Sequence, residues 1–257
     1  MIDLRSYIKG NDIDGHIHIF DKDGCIFRPS PDSIKKYVGF IDIEPKYISQ
    51  YQSCMNYYKD YIENHLNDNI ILLASSTTPQ EMIDMHKKWG NWIKGFGEIK
   101  CYNEWKGEEL KLDRLSEYWD VCKYAGENNL PVYIHFSLYD IRTRKRFENL
   151  LKRFPQTTFV LCHCGMDEKT DNDFCYHSVC KMMKEFDNLW VDITWKAFDY
   201  FYSNPLKINQ LDLSRVILGS DQNRLSKKEN INSKFDEGFC YINSDRNIKR
   251  LFGLLRS

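Results

Sequence analysis

Eight short apolar runs recur along the chain with helix-like segments between them, and this rhythm narrows the fold more than any other feature. The runs are Ile13–Ile19, Tyr37–Ile43, Ile70–Ser75, Trp92–Ile99, Pro131–Phe136, Thr158–Cys162, Leu189–Ile193 and Val216–Gly219. Helical periodicity marks Pro45–Leu66, Pro79–Trp89, Lys111–Asn128, Arg142–Phe154, Phe174–Phe186 and a tail at Asn247–Leu255. Pro45 and Pro79 suit first helical positions, where the missing N–H has no cost. Polar breaks such as "NN", "FPQ" and "FDN" separate helix from following strand. Strand and helix in alternation give a parallel sheet. Eight such units in 257 residues predict an α/β chain, a (β/α)8 TIM barrel over residues 1–257 as one domain. A slightly distorted barrel is expected. "YVGFIDIEP" also reads as a helix end running into a turn, and Asn204–Leu213 is thin for a full helix. A doubly wound sheet is the competing architecture. There is no internal repeat, low-complexity tract or linker.

Composition excludes several classes. Hydrophobic residues make up 42% and charged residues 28%, ordinary for a globular domain. The formal net charge of -1 offers no broad basic face for nucleic acid. The opening "MIDLRSYIKG" does not read as a secretion signal, and no apolar stretch approaches the roughly 20 residues that span a bilayer. Nine cysteines, an odd number without framework spacing, suit free thiols in a reducing, cytoplasmic setting.

Chemistry enters at "IDGHIHIF", Ile13 to Phe20. Period two places His16 and His18 on one strand face and Gly15, Ile17 and Ile19 on the other. A lone histidine there would be a core residue; a pair invites a search for partners. Glu98 in "GFGEIK", His135 in "PVYIHFS", His163 in "FVLCHCG" and Asp221 in "VILGSDQN" each fall at or just after a predicted strand end. Singly each has an ordinary reading: core histidine, ion-paired glutamate, helix-capping aspartate. In a barrel these ends converge on one mouth, and the six residues together read as a metal centre. Imidazole and carboxylate suit a borderline divalent ion, with Zn first and Mn, Ni or Fe as alternatives. Four histidines and two carboxylates exceed the needs of one tetrahedral ion. His16, His18 and Asp221 suit one site and His135 and His163 a second, with Glu98 bridging; one ion remains the alternative. Asp221 is also the candidate proton carrier. In "CHC", period two turns Cys162 and Cys164 away from His163, so Cys162 is expected to pack outward against helices.

The segments "IDGHIHIF", "GFGEIK", "YIHFS", "LCHCG" and "ILGSD" resemble the metal-dependent amidohydrolase superfamily, nearest its amidohydrolase-related (amidohydrolase 2) group, with TatD-like features. The resemblance implies a barrel with its metal at the strand ends. It maps the first-strand pair onto His16 and His18, the strand-five and strand-six histidines onto His135 and His163, and the strand-eight aspartate onto Asp221. It also gives His163 a catalytic role outside the metal shell in decarboxylase-like members. Glu98 takes the strand-four place that other branches give to a carboxylated lysine. "GFGEIKCYNEW" departs from the wording usual in TatD-like nucleases.

Three activities follow. The first is hydrolysis of an amide, ester, lactone or phosphoester. The alternatives are decarboxylation of a small unsaturated or aromatic acid, and TatD-like nuclease action. Glu98 favours hydrolysis, because mononuclear decarboxylases need no bridging carboxylate. The expected partner is a small-molecule substrate, and Arg142, Lys196 and Trp195 are candidates to bind it, the two cations suiting an anionic one. A solvated helix face is the ordinary reading of the arginine. Neither nucleic acid nor membrane is expected, and a homo-oligomer is compatible.

Overall fold

The computed structural model describes residues 13–19, 21–22, 25–26, 36–41, 54–64, 66, 68–76, 78–101, 114–167, 170–219, 221, 242 and 244–254. Eight strands form one sheet: β1 (Ile13–Ile19), β2 (Lys36–Ile41), β3 (Ile70–Ala74), β4 (Ile93–Lys100), β5 (Val132–His135), β6 (Phe159–Leu161), β7 (Leu189–Ile193) and β8 (Val216–Leu218). They lie in sequence order and every neighbouring pair is parallel. A doubly wound sheet would reverse direction at a switch point; here the first and last strands meet instead. The helices between them are α1 (Cys54–Asn64), α2 (Pro79–Trp89), α3 (Trp119–Glu127), α4 (Ile141–Arg153), α5 (Asn172–Glu185) and α6 (Trp195–Ser203), with α7 (Ser244–Leu251) last. This is a (β/α)8 barrel with a slightly open seam. Among the described residues no helix is long and apolar enough to cross a membrane.

Two apolar layers hold it. Ile13, Val38, Phe40, Leu73, Tyr133 and Val160 fill the lumen. Ile17, Phe96, Ile134, Leu161 and Val191 face outward against buried helix positions such as Met82, Phe147 and Val179. Strict period two does not hold on β1. Ile13 and the His16/His18 pair both face inward because the β1–β2 register shifts between Asp14 and Ile17, so a bulge inserts one residue and resets the phase. A second shift, between Phe96 and Ile99, carries Glu98 inward on β4. Gly97 sits in it at φ +127, where a Cβ would come within 2.6 Å of Tyr133 O; only glycine fits that approach.

The seam lies between β1 and β8. Asp221 N donates to His16 O at 2.9 Å across it, and α7 covers the rest. Ile13 N donates to Asp245 Oδ1 at 3.0 Å and Leu218 N to Ser244 Oγ at 2.9 Å. Asn247 Nδ2 donates to Val216 O at 2.6 Å and to Leu213 O at 2.8 Å. Side chains of one helix thus satisfy strand-edge groups that a ladder would otherwise pair.

Two readings need correction. No helical periodicity marked the stretch directly after β7, yet α6 begins at Trp195, just beyond Thr194, and short 3-10 turns at Pro205–Gln210 and Leu213–Arg215 follow it. Strand β6 stops at Leu161, and His163 and Cys164 take left-handed conformations with φ 53 and 52. Val160, Leu161 and Cys162 alternate as a strand does, so Cys162 points into the lumen with Val160, Tyr133 and Ile217 instead of outward; the left-handed turn is what brings His163 to the mouth beside it, and Cys164 joins the outer layer. Residues 42–53, part of the first predicted helix, lie outside the described residues.

Candidate metal centre

Six side chains converge at the C-terminal mouth of the barrel. The β1 bulge delivers His16 and His18, the β4 shift delivers Glu98, and β5 ends on His135. His163 arrives in the left-handed turn after β6, and Asp221, itself at φ 52, follows β8. Phe40 packs beneath the first pair, its ring 4.6 Å from His16 and 5.8 Å from His18, with Tyr133 a further 5.2 Å away.

The donor atoms form two groups. His16 Nε2, His18 Nε2 and Asp221 Oδ1 make a triangle with sides of 3.4, 3.4 and 3.0 Å. Glu98 Oε1 lies 2.8 Å from His135 Nδ1 and 3.5 Å from His163 Nε2, without the alignment of a hydrogen bond to either. Glu98 Oε2 turns the other way, 3.5 Å from His18 Nε2. Donors about 2.0–2.1 Å from a tetrahedral ion stand roughly 3.3 Å apart, and the triangle matches that spacing. The chemistry of the set, imidazole with carboxylate, fits a borderline divalent ion. The sets His16–His18–Glu98, His16–His163–Asp221 and Glu98–His135–His163 each bring their donors within 4.8 Å of one another.

Burial makes the electrostatics strong. Burial works against charge on His16, but Asp192, Asp221 and Glu98 outweigh it and raise the ring to about 9. Burial likewise opposes charge on His163, and Asp221, Glu98 and Asp192 raise it. At His135 burial prevails over Glu98 and lowers the pKa. Burial pushes the Glu98 carboxyl up, yet the His135, His163 and His18 rings hold it well below its usual range. Asp221 is also held low: His163, His18 and His16 overcome its burial. Its side chain is 17% exposed, against 2% for Glu98 and 0% for His16, so it is the carboxylate that solvent reaches.

The other candidates lie outside this cluster. Arg142, in the first turn of α4, is 83% exposed and bound by Asp140, the N-cap of that helix. Lys196 is the second residue of α6, half-buried, just beyond the end of β7. Trp195 opens α6, and its side chain lies outside the described residues.

One participant escaped the sequence reading. Asp192 on β7 is fully buried and accepts from His16 Nδ1 at 2.9 Å and from His163 N at 2.7 Å. Its one signal was an acid inside the apolar run "LWVDI", easily taken as a chance polar position. Cys162, Asp192 and His16 also lie within 4.8 Å of one another.

Comparison with known proteins bears on the fold and the family. No curated protein matches the chain. Among solved structures, a probable 2-pyrone-4,6-dicarboxylic acid hydrolase from Acinetobacter baumannii with citric acid bound is similar at 17% identity and TM-score 0.56, covering 95% of this chain and 99% of that one. An amidohydrolase from Burkholderia multivorans with bound zinc is similar at 10% identity and TM-score 0.57, over 96% and 93% of the two chains. A 2,6-dihydroxybenzoate decarboxylase from Rhizobium is similar at 13% identity and TM-score 0.52, over 86% and 85%. At these identities the likeness is one of fold. The family is carried by sequence: the amidohydrolase family model matches residues 13–243, most of the barrel and all six converging side chains, and the chain belongs to that family.

Proposed function

We propose that this chain is a metal-dependent hydrolase acting on an amide, ester, lactone or phosphoester of a small molecule. The observation that carries the reading is the attitude of Glu98, one oxygen toward His18 and the other toward His135 and His163. A carboxylate so turned would suit two ions, with His16, His18 and Asp221 to hold one and His135 and His163 the other. Zinc is the first choice from the donor set, with Mn, Ni and Fe next. A divalent ion held there supplies Lewis acidity, polarising a substrate oxygen and lowering the pKa of water toward neutrality.

The chain's own groups do the rest. Asp221 is ionised and partly open to the mouth, so its carboxylate accepts the proton of the attacking water and returns it to the leaving group. The apolar floor of Phe40 and Tyr133 keeps bulk water from beneath the histidines. Lys196, the second residue of α6 just beyond the end of β7, is our candidate for contact with an anionic substrate group.

The second reading is decarboxylation, favoured by the fold shared with 2,6-dihydroxybenzoate decarboxylase; in it a single ion suffices and His163 acts outside the metal shell. Metal content per chain, measured on protein never exposed to chelator, separates the two. Near two equivalents, together with hydrolysis that Asp221→Asn slows by about 100-fold or more while folding is kept, supports hydrolysis. Near one equivalent, with turnover of unsaturated or aromatic acids, supports decarboxylation. A His16→Ala protein with full metal content and full activity sinks both.

A further inference from the structure

Asp192 touches two ligand-bearing elements at once. Its Oδ2 accepts a hydrogen bond from His16 Nδ1 at 2.9 Å. Its Oδ1 accepts from His163 N at 2.7 Å and from Thr194 Oγ1 at 2.8 Å. The Thr194 hydroxyl pairs in turn with His163 Nδ1. Both oxygens sit against donor groups, His163 N and Thr194 Oγ1 on one and His16 Nδ1 on the other, and the oxygens of a carboxylate only accept.

The protons then have one arrangement. A hydroxyl carries a single proton. Thr194 gives it to Asp192 and must accept from His163, so His163 Nδ1 bears hydrogen. His16 Nδ1 bears hydrogen too, because its partner is a carboxylate oxygen. In each neutral ring the lone pair is left on Nε2, and these are the atoms that face the cluster. His16 Nε2 lies 3.4 Å from Asp221 Oδ1, and His163 Nε2 lies 3.5 Å from Glu98 Oε1.

We propose that Asp192 is a positioning residue that sets the tautomers of both His16, directly, and His163, through Thr194, so that each presents Nε2 to a metal ion. The inference rests on the metal-binding reading of the cluster. His16 and His163 belong to different halves of it, so one buried carboxylate prepares both.

Two near-isosteric substitutions separate the branches. In Asp192→Asn, His163 N and the Thr194 hydroxyl still need an acceptor, which holds the amide oxygen on their side. The amide NH2 then donates to His16 Nδ1 and forces that ring's proton onto Nε2, against the metal. Thr194→Val leaves His16 alone and removes the relay to His163.

The test has two readouts on the full chain. Nitrogen NMR of the histidine rings is recorded on metal-free protein as pH is raised until the ring signals stop moving, and zinc is titrated against a competing chromophoric chelator. Wild-type protein is expected to show Nδ1–H at His16 and His163. Asp192→Asn should invert His16 and weaken zinc binding by about 100-fold, with His163 unchanged. Thr194→Val should abolish the Nδ1–H preference of His163 and leave His16 as it was. Nε2–H at either ring in wild-type protein overturns the proposal, as does Asp192→Asn with His16 and zinc affinity unaltered. If Asp192→Asn does not fold, Thr194→Val decides: an unchanged His163 overturns the proposal. Wild-type protein that takes up no zinc but shows these tautomers, inverted as described, sinks the metal reading and leaves the role of Asp192 standing.

Discussion

His16 is the most consequential single residue, because its two ring nitrogens do different work. Nδ1 is tied to Asp192, and Nε2 joins His18 and Asp221. In the metal-free protein its pKa is raised to about 9, so near neutrality a metal ion must displace its proton. Metal uptake should therefore release protons, and metal affinity should climb as pH rises toward 9, where competition ends. A pH indicator in weak buffer during zinc addition checks this; uptake without proton release would contradict it. The sign for stability runs the other way. A raised folded-state pKa contributes stability that is full below the unfolded value near 6.5 and is lost as pH rises through the folded one. His163 is raised as well, and His135, lowered, is neutral in both states above that pH. The Tm of metal-free protein should thus fall between pH 6.5 and about 9, and scanning calorimetry across that window measures it. At this scale His16, His18, Glu98, His135, His163 and Asp221 were legible together, because six such groups at strand ends that converge in a barrel are not explained by the ordinary reading each has alone. Asp192 was not, since its partners lie on other strands, and Cys162 was misread because nothing local signals that β6 ends at Leu161.

At the scale of elements, two bulges do what regular strands cannot. Ile13 faces the lumen and Phe96 the outer layer, yet His16 and Glu98 beyond them face the lumen because an extra residue resets the phase. Gly97 makes the second bulge geometrically feasible: a Cβ there meets Tyr133 O at 2.6 Å, at a φ of +127. Gly97→Ala should cost on the order of 2–3 kcal/mol, lowering Tm by roughly 5–10 °C, and should loosen Glu98 from its partners. A thermal melt and metal content read the two effects, and an unchanged Tm would show that the strand re-forms without the bulge. Strand existence was legible from apolar runs, and α4 from its helical periodicity; its Asp140 cap came only with the structure. The bulges were not legible, because a phase reset depends on the neighbouring strand's register. Helix α6 was hidden too: "WKAFDYFYS" is rich in aromatics and carries no capping side chain, so no helical periodicity stood out in it.

At the scale of the molecule, the barrel is closed by a helix and a cluster of side chains rather than by a continuous ladder. His16 stands on β1, Asp221 just beyond β8, and their backbones touch across the seam. A metal ion held by both would tie the two edges, so removing it should loosen β1 and β8 before the other strands. Hydrogen exchange with and without chelator is the measurement, and uniform change around the barrel would contradict it. The eightfold rhythm announced the barrel, but the sequence carried no mark of where it stays open. The rest of the closure falls to Ser244, Asp245 and Asn247, far along the chain from β1. A chain is synthesised from its N-terminus, so β1 emerges well before the helix that covers its edge. Until residues 244–251 follow it out of the ribosome, the nascent sheet carries an unfinished edge of the kind that recruits other strands. Strand addition at β1 therefore competes with closure until Ser244, Asp245 and Asn247 arrive.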